Sequence, residues 1–415
     1  EFKYIIAESN GEYEEEEAPQ SSNDDFNENN AIYTIRQILM KPDYGTWSKM
    51  RDYMLEWASS ITQTPPGLEN VEVAKEQNVM FATALDYIRQ HMASWPSELL
   101  GPEKQDREHL EDPLSFLPVK KIDFRKSRTG PNMFDGRAVA ENEKFKNVTS
   151  IAAVRSSLAS GAIDIARSPV IEDVRHLSLV NSEISDLFLE AVASEEKFSN
   201  LQYLDLSNPI GEASRNPNKI TAKGFQALAN SPIVKNLEFL NLGGSGLTIT
   251  SEVAALLSQS ENFRNLKYLN LQYCDFEDFD SIRAIVESKT LQNLEALNIN
   301  FTNVLGSFDR FLQVAELLED EQNLPNLKDA YVLSTWKYDP EFENWEGGPR
   351  FQRIARYFAD EHSLGRRDIG KMKNWRDTKK ALSNDEKIQK NLEVRRKQAM
   401  QNKKRESGRR GGRIV

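Results

Sequence analysis

The chain is poor in the groups on which most enzymes depend. One cysteine in 415 residues excludes an intrachain disulfide framework and favours a reducing, intracellular and cytoplasmic setting. The four histidines, His91, His109, His176 and His362, are scattered without metal-ligand spacing, and no HExxH, P-loop, GxGxxG or GxSxG motif is present. The expectation is a protein that is not an enzyme and holds no metal or cofactor. No apolar run approaches the length of a membrane span, and no signal-peptide pattern opens the sequence as given. Tyrosine, phenylalanine and tryptophan are absent after Trp375.

Charge is plentiful but unevenly placed. The net charge is −11, yet residues 366–415 carry 18 Lys and Arg against 6 Asp and Glu. An acidic body therefore bears a basic tail. At the other end, Glu1 to Asn30 holds ten acidic residues and one lysine. Such a segment has little to bury and reads as disordered.

What organises the chain is a pattern that returns six times: VRHLSL (174 to 179), LQYLDL (201 to 206), LEFLNL (237 to 242), LKYLNL (266 to 271), LEALNI (294 to 299) and LKDAYV (327 to 332). The spacings are 27, 36, 29, 28 and 33 residues, enough for one short strand and one helix per copy. No copy can bury its own leucines, so stacked copies must share a continuous core. Strand alternation sends Leu204 and Leu206 inward and leaves Tyr203, Asp205 and Ser207 on the opposite face. Helix-period segments, such as Phe225, Leu228 and Ala229 or Ile282, Ile285 and Val286, lie between the strands.

These motifs resemble leucine-rich repeats of the ribonuclease-inhibitor-like type, and GFQALA (224 to 229) is similar to the repeats of bacterial GALA effectors. The resemblance implies an α/β solenoid with a parallel sheet on its concave side and helices on its convex side. It implies a protein partner without identifying one. WPSELL (95 to 100) and SFLPVKKI (115 to 122) resemble the two halves of an F-box, set further apart than in that compact unit. That likeness implies an adaptor role; the plainer reading is a loop-rich connector with an extended piece at Val119 to Phe124.

The expected organisation is an acidic disordered segment (1–30), a small all-α hairpin domain (31–96), a loop-rich connector (97–149), the repeat array (150–335), a C-terminal cap (336–365) and a basic helical tail (366–415). Trp47, Met50, Met54, Trp57 and Ile61 define one helix, and Val71 through Met92 a second with Asn78 at the edge of its apolar stripe. Ser150 to Arg167 reads as a helix capping the array. Pro209 to Lys219 is a turn-rich insertion, with Asn208 one position early for the repeat. Phe351, Ile354, Ala355 and Phe358 form the stripe of the terminal cap.

Two candidate binding regions follow. Positions three, five and seven of each copy should face the concave side, giving an aromatic column (His176, Tyr203, Phe239, Tyr268) beside polar groups (Asp205, Asn241, Asn270, Gln272, Asn298, Asn300). Such a mixture suits a protein interface, and equally describes rings that stack to stabilise a sheet. In the tail, Arg395, Arg396, Lys397, Lys403, Lys404, Arg405, Arg409, Arg410 and Arg413 could contact RNA phosphates or an acidic protein surface, the GRRGGR ending being similar to RGG-type RNA-binding segments. Cys274 reads as a buried structural thiol.

Overall fold

The computed structural model describes residues 28–40, 42–43, 45–67, 69–92, 94–95, 100–101, 119–123, 136–154, 158–208, 217–334, 339, 341 and 345–356. Residues 1–27, the insertion from Pro209 to Asn216, Phe358, most of the F-box-like halves and the whole basic tail lie outside the described residues. The protein is α/β, with parallel strands and helices between them. It divides into two compact units, one comprising Glu1–Gly130, Glu141–Ala152 and Val170–Glu172, the other Pro131–Ala140, Ala153–Pro169 and Asp173–Val415.

The first unit begins with four helices: α1 (Glu28–Met40), α2 (Thr46–Thr62), α3 (Glu69–Gln77) and α4 (Val79–Met92). Helix α2 buries Trp47, Met50, Met54 and Trp57 on one face, and Trp57 meets Phe81 of α4 edge-on at 5.2 Å. The single helix expected from Val71 to Met92 is broken at Asn78. Its Oδ1 accepts the Phe81 N–H at 2.9 Å and so caps α4, because the first turn of a helix has N–H groups without intrahelical acceptors. The polar residue in the apolar stripe marks a helix start rather than a contact edge.

Two strands follow, β1 (Lys121–Asp123) and β2 (Ser150–Val154), the second belonging to this unit through Ala152, and they are parallel with Ile122 opposite Ile151. The helix expected from Ser150 is thus a strand over its first five residues. Ile151 and Ala153 are buried with the less buried Ala152 and Val154 between them, a period of two that the helical reading passed over. VKKIDF (119 to 124) and VTSIAA (148 to 153) have the same one-four-six spacing as the six recognised copies. They escaped notice because valine, isoleucine, phenylalanine and alanine replace leucine.

The second unit contains α5 (Gly136–Ala140) and α6 (Ala159–Ala166), the latter being what remains of the expected capping helix. The repeats then supply β3 (His176–Val180), α7 (Asp186–Ser194), β4 (Tyr203–Asp205), α8 (Ala222–Asn230), β5 (Phe239–Asn241), β6 (Thr248–Ile249), α9 (Ser251–Gln259), β7 (Tyr268–Asn270), β8 (Asp275–Phe276), α10 (Phe279–Val286), β9 (Ala296–Asn298), α11 (Phe308–Glu319) and β10 (Asp329–Tyr331). All six copies are strands, ordered β3-β4-β5-β7-β9-β10 and parallel, with Leu177, Leu204, Leu240, Leu269, Leu297 and Ala330 in one row. Each of these six is at most 2% exposed. Thr221, Thr250, Asp278 and Ser307 cap the helices α8 to α11.

Hydrogen bonds between units continue beyond the strands at both ends. At position eight, Asn181, Gly244, Tyr273 and Phe301 adopt a left-handed backbone (φ 50°, 65°, 59° and 56°). Each of these N–H groups donates to the next repeat's position-seven carbonyl, at Ser207, Gln272, Asn300 and Leu333, and Asn208 makes the same bond to Gly243 without a left-handed backbone. Ahead of the first leucine, Asn236, Asn265, Asn293 and Asn326 donate through Nδ2 to the carbonyls of Ser199, Lys235, Arg264 and Gln292 in the preceding unit, each at 2.8 or 2.9 Å. The motif is therefore NLxxLxL, a signal present in the sequence but missed.

The insertion is absorbed by an asparagine pair. Asn208 accepts from Asn218 N at 2.8 Å and donates to Asn218 O at 2.9 Å. Asn218 is 1% exposed; its Oδ1 accepts from Ser182 N and Ile184 N, and its Nδ2 donates to Leu179 O and Leu206 O. The asparagine that seemed one position early thus fastens the loop ends, while the one after the loop bonds across two units.

At the far end the expected cap helix is shorter than its stripe. It spans α12 (Pro349–Ile354) and gives way to strand β11 (Ala355–Arg356), which pairs with β10. Buried Arg350 donates to the carbonyls of Leu318, Asp320, Asn323 and Leu324, closing the end of α11. In return Glu319 accepts the Arg350 and Phe351 N–H groups. Each end thereby satisfies the other's orphan backbone groups.

Leu269→Ala should cost about 2 to 5 kcal/mol through lost burial and an unfilled cavity. Asn218→Ala should cost a similar amount, roughly 2 to 5 kcal/mol, because four buried backbone groups lose their partner. Chemical denaturation of the two variants beside the parent chain measures both.

Candidate functional site

The sheet face opposite the shared leucines carries positions three, five and seven. At position three, register places His176, Tyr203, Phe239, Tyr268, Ala296 and Asp329 in one row. The Tyr203 and Phe239 rings stack at 4.1 Å and 10°, the Phe239 and Tyr268 rings at 4.3 Å and 2°, and His176 lies 6.2 Å from Tyr203. Each ring is partly exposed. Adjacent parallel strands lie about 4.8 Å apart, so ring spacing follows directly from strand spacing. Pairs of this kind contribute about 0.5 to 1.5 kcal/mol each beyond buried area.

Position five departs from the expectation of an exposed polar column. Asp205, Asn241, Asn270 and Asn298 are only 0–4% exposed, as are Gln272 and Asn300 of position seven. The reason is local. The Oδ1 atoms of Asp205, Asn241, Asn270 and Asn298 accept the N–H two residues on, from Ser207, Gly243, Gln272 and Asn300, at 2.9 to 3.0 Å. These short side chains close a turn that ends each strand. Cross-strand bonds use further atoms: Asn298 Nδ2 reaches Gln272 Oε1 at 3.3 Å, and Asn300 Oδ1 accepts from Leu333 N at 2.6 Å. Much of the polar set is thus engaged in holding strand ends together, and the rings carry the more accessible part of the face.

Asp205 is the charged member of this row. Burial pushes its carboxyl pKa above the usual value, against the opposing effect of hydrogen bonds from Ser207, Asn241 and Tyr203. Burial, together with the Asp205 charge, also raises the Tyr268 hydroxyl, which bonds to Asn298. At the end of the row, Asp329 pairs with Arg356 at 2.7 Å. Along the neighbouring rim the charges alternate across strands, Lys267 with Glu238 at 2.9 Å and Lys328 with Glu295 at 2.8 Å. No Lys or Arg stands at positions three, five or seven of the six copies, and Arg356 reaches Asp329 from β11.

Sites of other kinds find little material. Cys274 is 2% exposed, its Sγ is 3.4 Å from Leu242 O, and burial pushes the thiol up to about 12; it will not react as a thiolate near neutral pH. No group of three metal-ligating side chains occurs among the described residues. No described helix is long and apolar enough to cross a membrane. The tail residues Arg395, Arg396, Lys397, Lys403, Lys404, Arg405, Arg409, Arg410 and Arg413 lie outside the described residues. Sequence reasoning also missed a second aromatic pair, Tyr273 and Phe301, stacked at 5.0 Å and 7° on left-handed backbone.

No protein-family model matches the chain, and no curated protein matches it in sequence. Among solved structures it is similar to an internalin from Listeria monocytogenes, with 12% identity, 61% of this chain and 89% of the internalin covered, and a TM-score of 0.17.

Because the folded-state pKa of Asp205 lies above its unfolded value, its ionisation opposes folding. Its effect is absent below the unfolded pKa, and stability falls as pH rises toward the folded pKa. Asp205→Asn should therefore raise the melting temperature at pH 7 and flatten its acid-range pH dependence, as thermal unfolding at a series of pH values would read.

Proposed function

We propose that this chain is a non-enzymatic interaction protein, a leucine-rich-repeat solenoid of the ribonuclease-inhibitor-like, GALA-like type that grips a protein partner on its concave sheet face. The observation that carries the reading is the in-register stack of Tyr203, Phe239 and Tyr268, partly exposed on a rigid sheet. Large, pre-ordered aromatic groups lose little conformational freedom on binding and serve well as anchors. The basic tail then fastens the chain within a larger assembly. An F-box-like adaptor role for residues 95–122 gains no support from the described residues.

A second reading, an RNA-associated subunit, rests on the composition of residues 366–415. Phosphate neutralisation would make its binding fall steeply with salt. The two readings separate with a partner recovered on the intact chain at low salt, with and without nuclease. Tyr203→Ala and Tyr268→Ala should each weaken its binding by roughly tenfold or more. Removal of residues 366–415, or nuclease treatment, should leave direct binding to the repeat face in place. Binding that survives both tyrosine variants and vanishes with the tail or the nucleic acid overturns the protein-partner reading.

A further inference from the structure

Between the helices α10 and α11 lies a cleft of about 590 Å³, a size within the range that binding sites occupy. Phe279, Arg283 and Glu287 line it along α10 and the residue just past its end, and Glu316, Leu317 and Asp320 line it along the last turn of α11 and its cap. Each set steps by three or four residues and so shares one helix face. Phe279 and Leu317 are half-buried and supply the apolar part of the lining, whereas Glu287, Glu316 and Asp320 are exposed.

The carboxylates gather where the two helices end. A helix C-terminus carries partial negative charge and favours a cation, yet the last turn of α11 contains no basic residue. Glu287 and Glu316 make no ion pair or side-chain hydrogen bond among the described residues. Arg283, the cation in the lining, is paired with Asp280 and lies 5.2 Å from the centre of the Phe279 ring. Residues 277–289 and 309–323 hold nine Asp and Glu against three Lys and Arg, and Arg350 and Arg353 of α12 raise the cations to five. Of those two, Arg350 is taken up by backbone carbonyls and Arg353 by Glu321. The cleft is partly apolar and negative, and its own surroundings do not balance it.

We propose that this cleft receives residues 371–376 of the same chain, KMKNWR, with the Trp375 ring against Phe279 and Leu317 and with Lys371, Lys373 and Arg376 toward Glu287, Glu316 and Asp320. The inference does not depend on what the concave face binds. Three observations select the occupant. Residues 366–415 carry 18 Lys and Arg against 6 Asp and Glu, which complements the acidic helix ends. Trp375 is the sole aromatic residue of that stretch and stands among its cations, matching a lining that is part apolar and part acidic. The connection is short as well. Arg350 donates to the carbonyls of Asp320 and Asn323, both in the lining, so the described chain runs beside the cleft before it ends at Arg356. Lys371 follows Arg350 by 21 residues, a length that spans up to about 70 Å when extended. A tether of this kind gives an effective concentration on the order of millimolar, which favours the chain's own segment over that of a second copy in dilute solution. Residues 384–415 are left for the contact with a larger assembly.

The test uses the full chain, treated with nuclease and carrying 5-fluorotryptophan at its six tryptophans; Trp375→Phe identifies the Trp375 fluorine signal. In the native chain that signal should be displaced from its position in urea and should respond little to exchange of water for heavy water, as a ring shielded from solvent does. Glu287→Gln combined with Glu316→Gln should return it to the urea position while the other five signals stay in place, which shows that the fold is intact. Asp309→Asn, which removes a carboxylate from the first turn of α11, should leave it displaced. A Trp375 signal at the urea position in the native chain overturns the proposal, as does a signal that stays displaced in the double variant. Equal loss in Asp309→Asn reveals attraction without a site and overturns it too. A displacement that fades on dilution assigns the ring to a second copy and overturns docking within one chain.

Discussion

Register between neighbouring units is the constraint from which the rest of this structure follows. Once Leu204, Leu240, Leu269 and Leu297 are buried in one row, every other position of the repeat is brought into a row as well. Each fully buried leucine contributes roughly 1.5 to 3 kcal/mol, and strand alternation ties that burial to the placement of the rings on the opposite face. A slip of one residue would exchange the two faces. The same burial that holds the units together therefore creates the aromatic stack.

The ends of the repeats show how this register is kept where leucines no longer act. Asparagines before the first leucine bond backward to the previous unit, while position-eight residues, four of them in a left-handed turn, bond forward. Gly244 accepts that turn at no steric cost, and a Cβ there would also meet Asn208 O at 2.6 Å. Tyr273 and Phe301 accept it at a cost offset by the interstrand bond and their mutual stacking. Buried carboxamides at position five close the strand ends. The polar groups around the sheet thus direct the backbone, and the rings between them are the more accessible part of the face.

Much of this was legible in the spacing of leucines, and the failures have physical causes. The six strands, their order and the alignment of His176, Tyr203, Phe239 and Tyr268 followed from a period of about thirty residues and an alternation of two. Burial of Asp205, Asn241, Asn270 and Asn298 did not follow, because a period cannot tell whether a short polar side chain reaches solvent or folds back on its own backbone. The helix expected at Ser150 failed for a different reason. Alanine serves either structure, and only pairing with Ile122 decides for the strand. Asn78 was misjudged because capping and edge placement look alike in a stripe read only for hydrophobicity. That a partner binds the rings is proposed from their exposure, not read from either pattern.

The clasp between Asn208 and Asn218 has a consequence for how such a chain can change over time. Because the two residues meet through backbone and side chain alike, the array is continuous across them, whatever lies between them in sequence. The bonds between Asn208 and Asn218 themselves make no demand on the sequence or length of the segment between them. New residues could accumulate there while the fold that carries them stays the same.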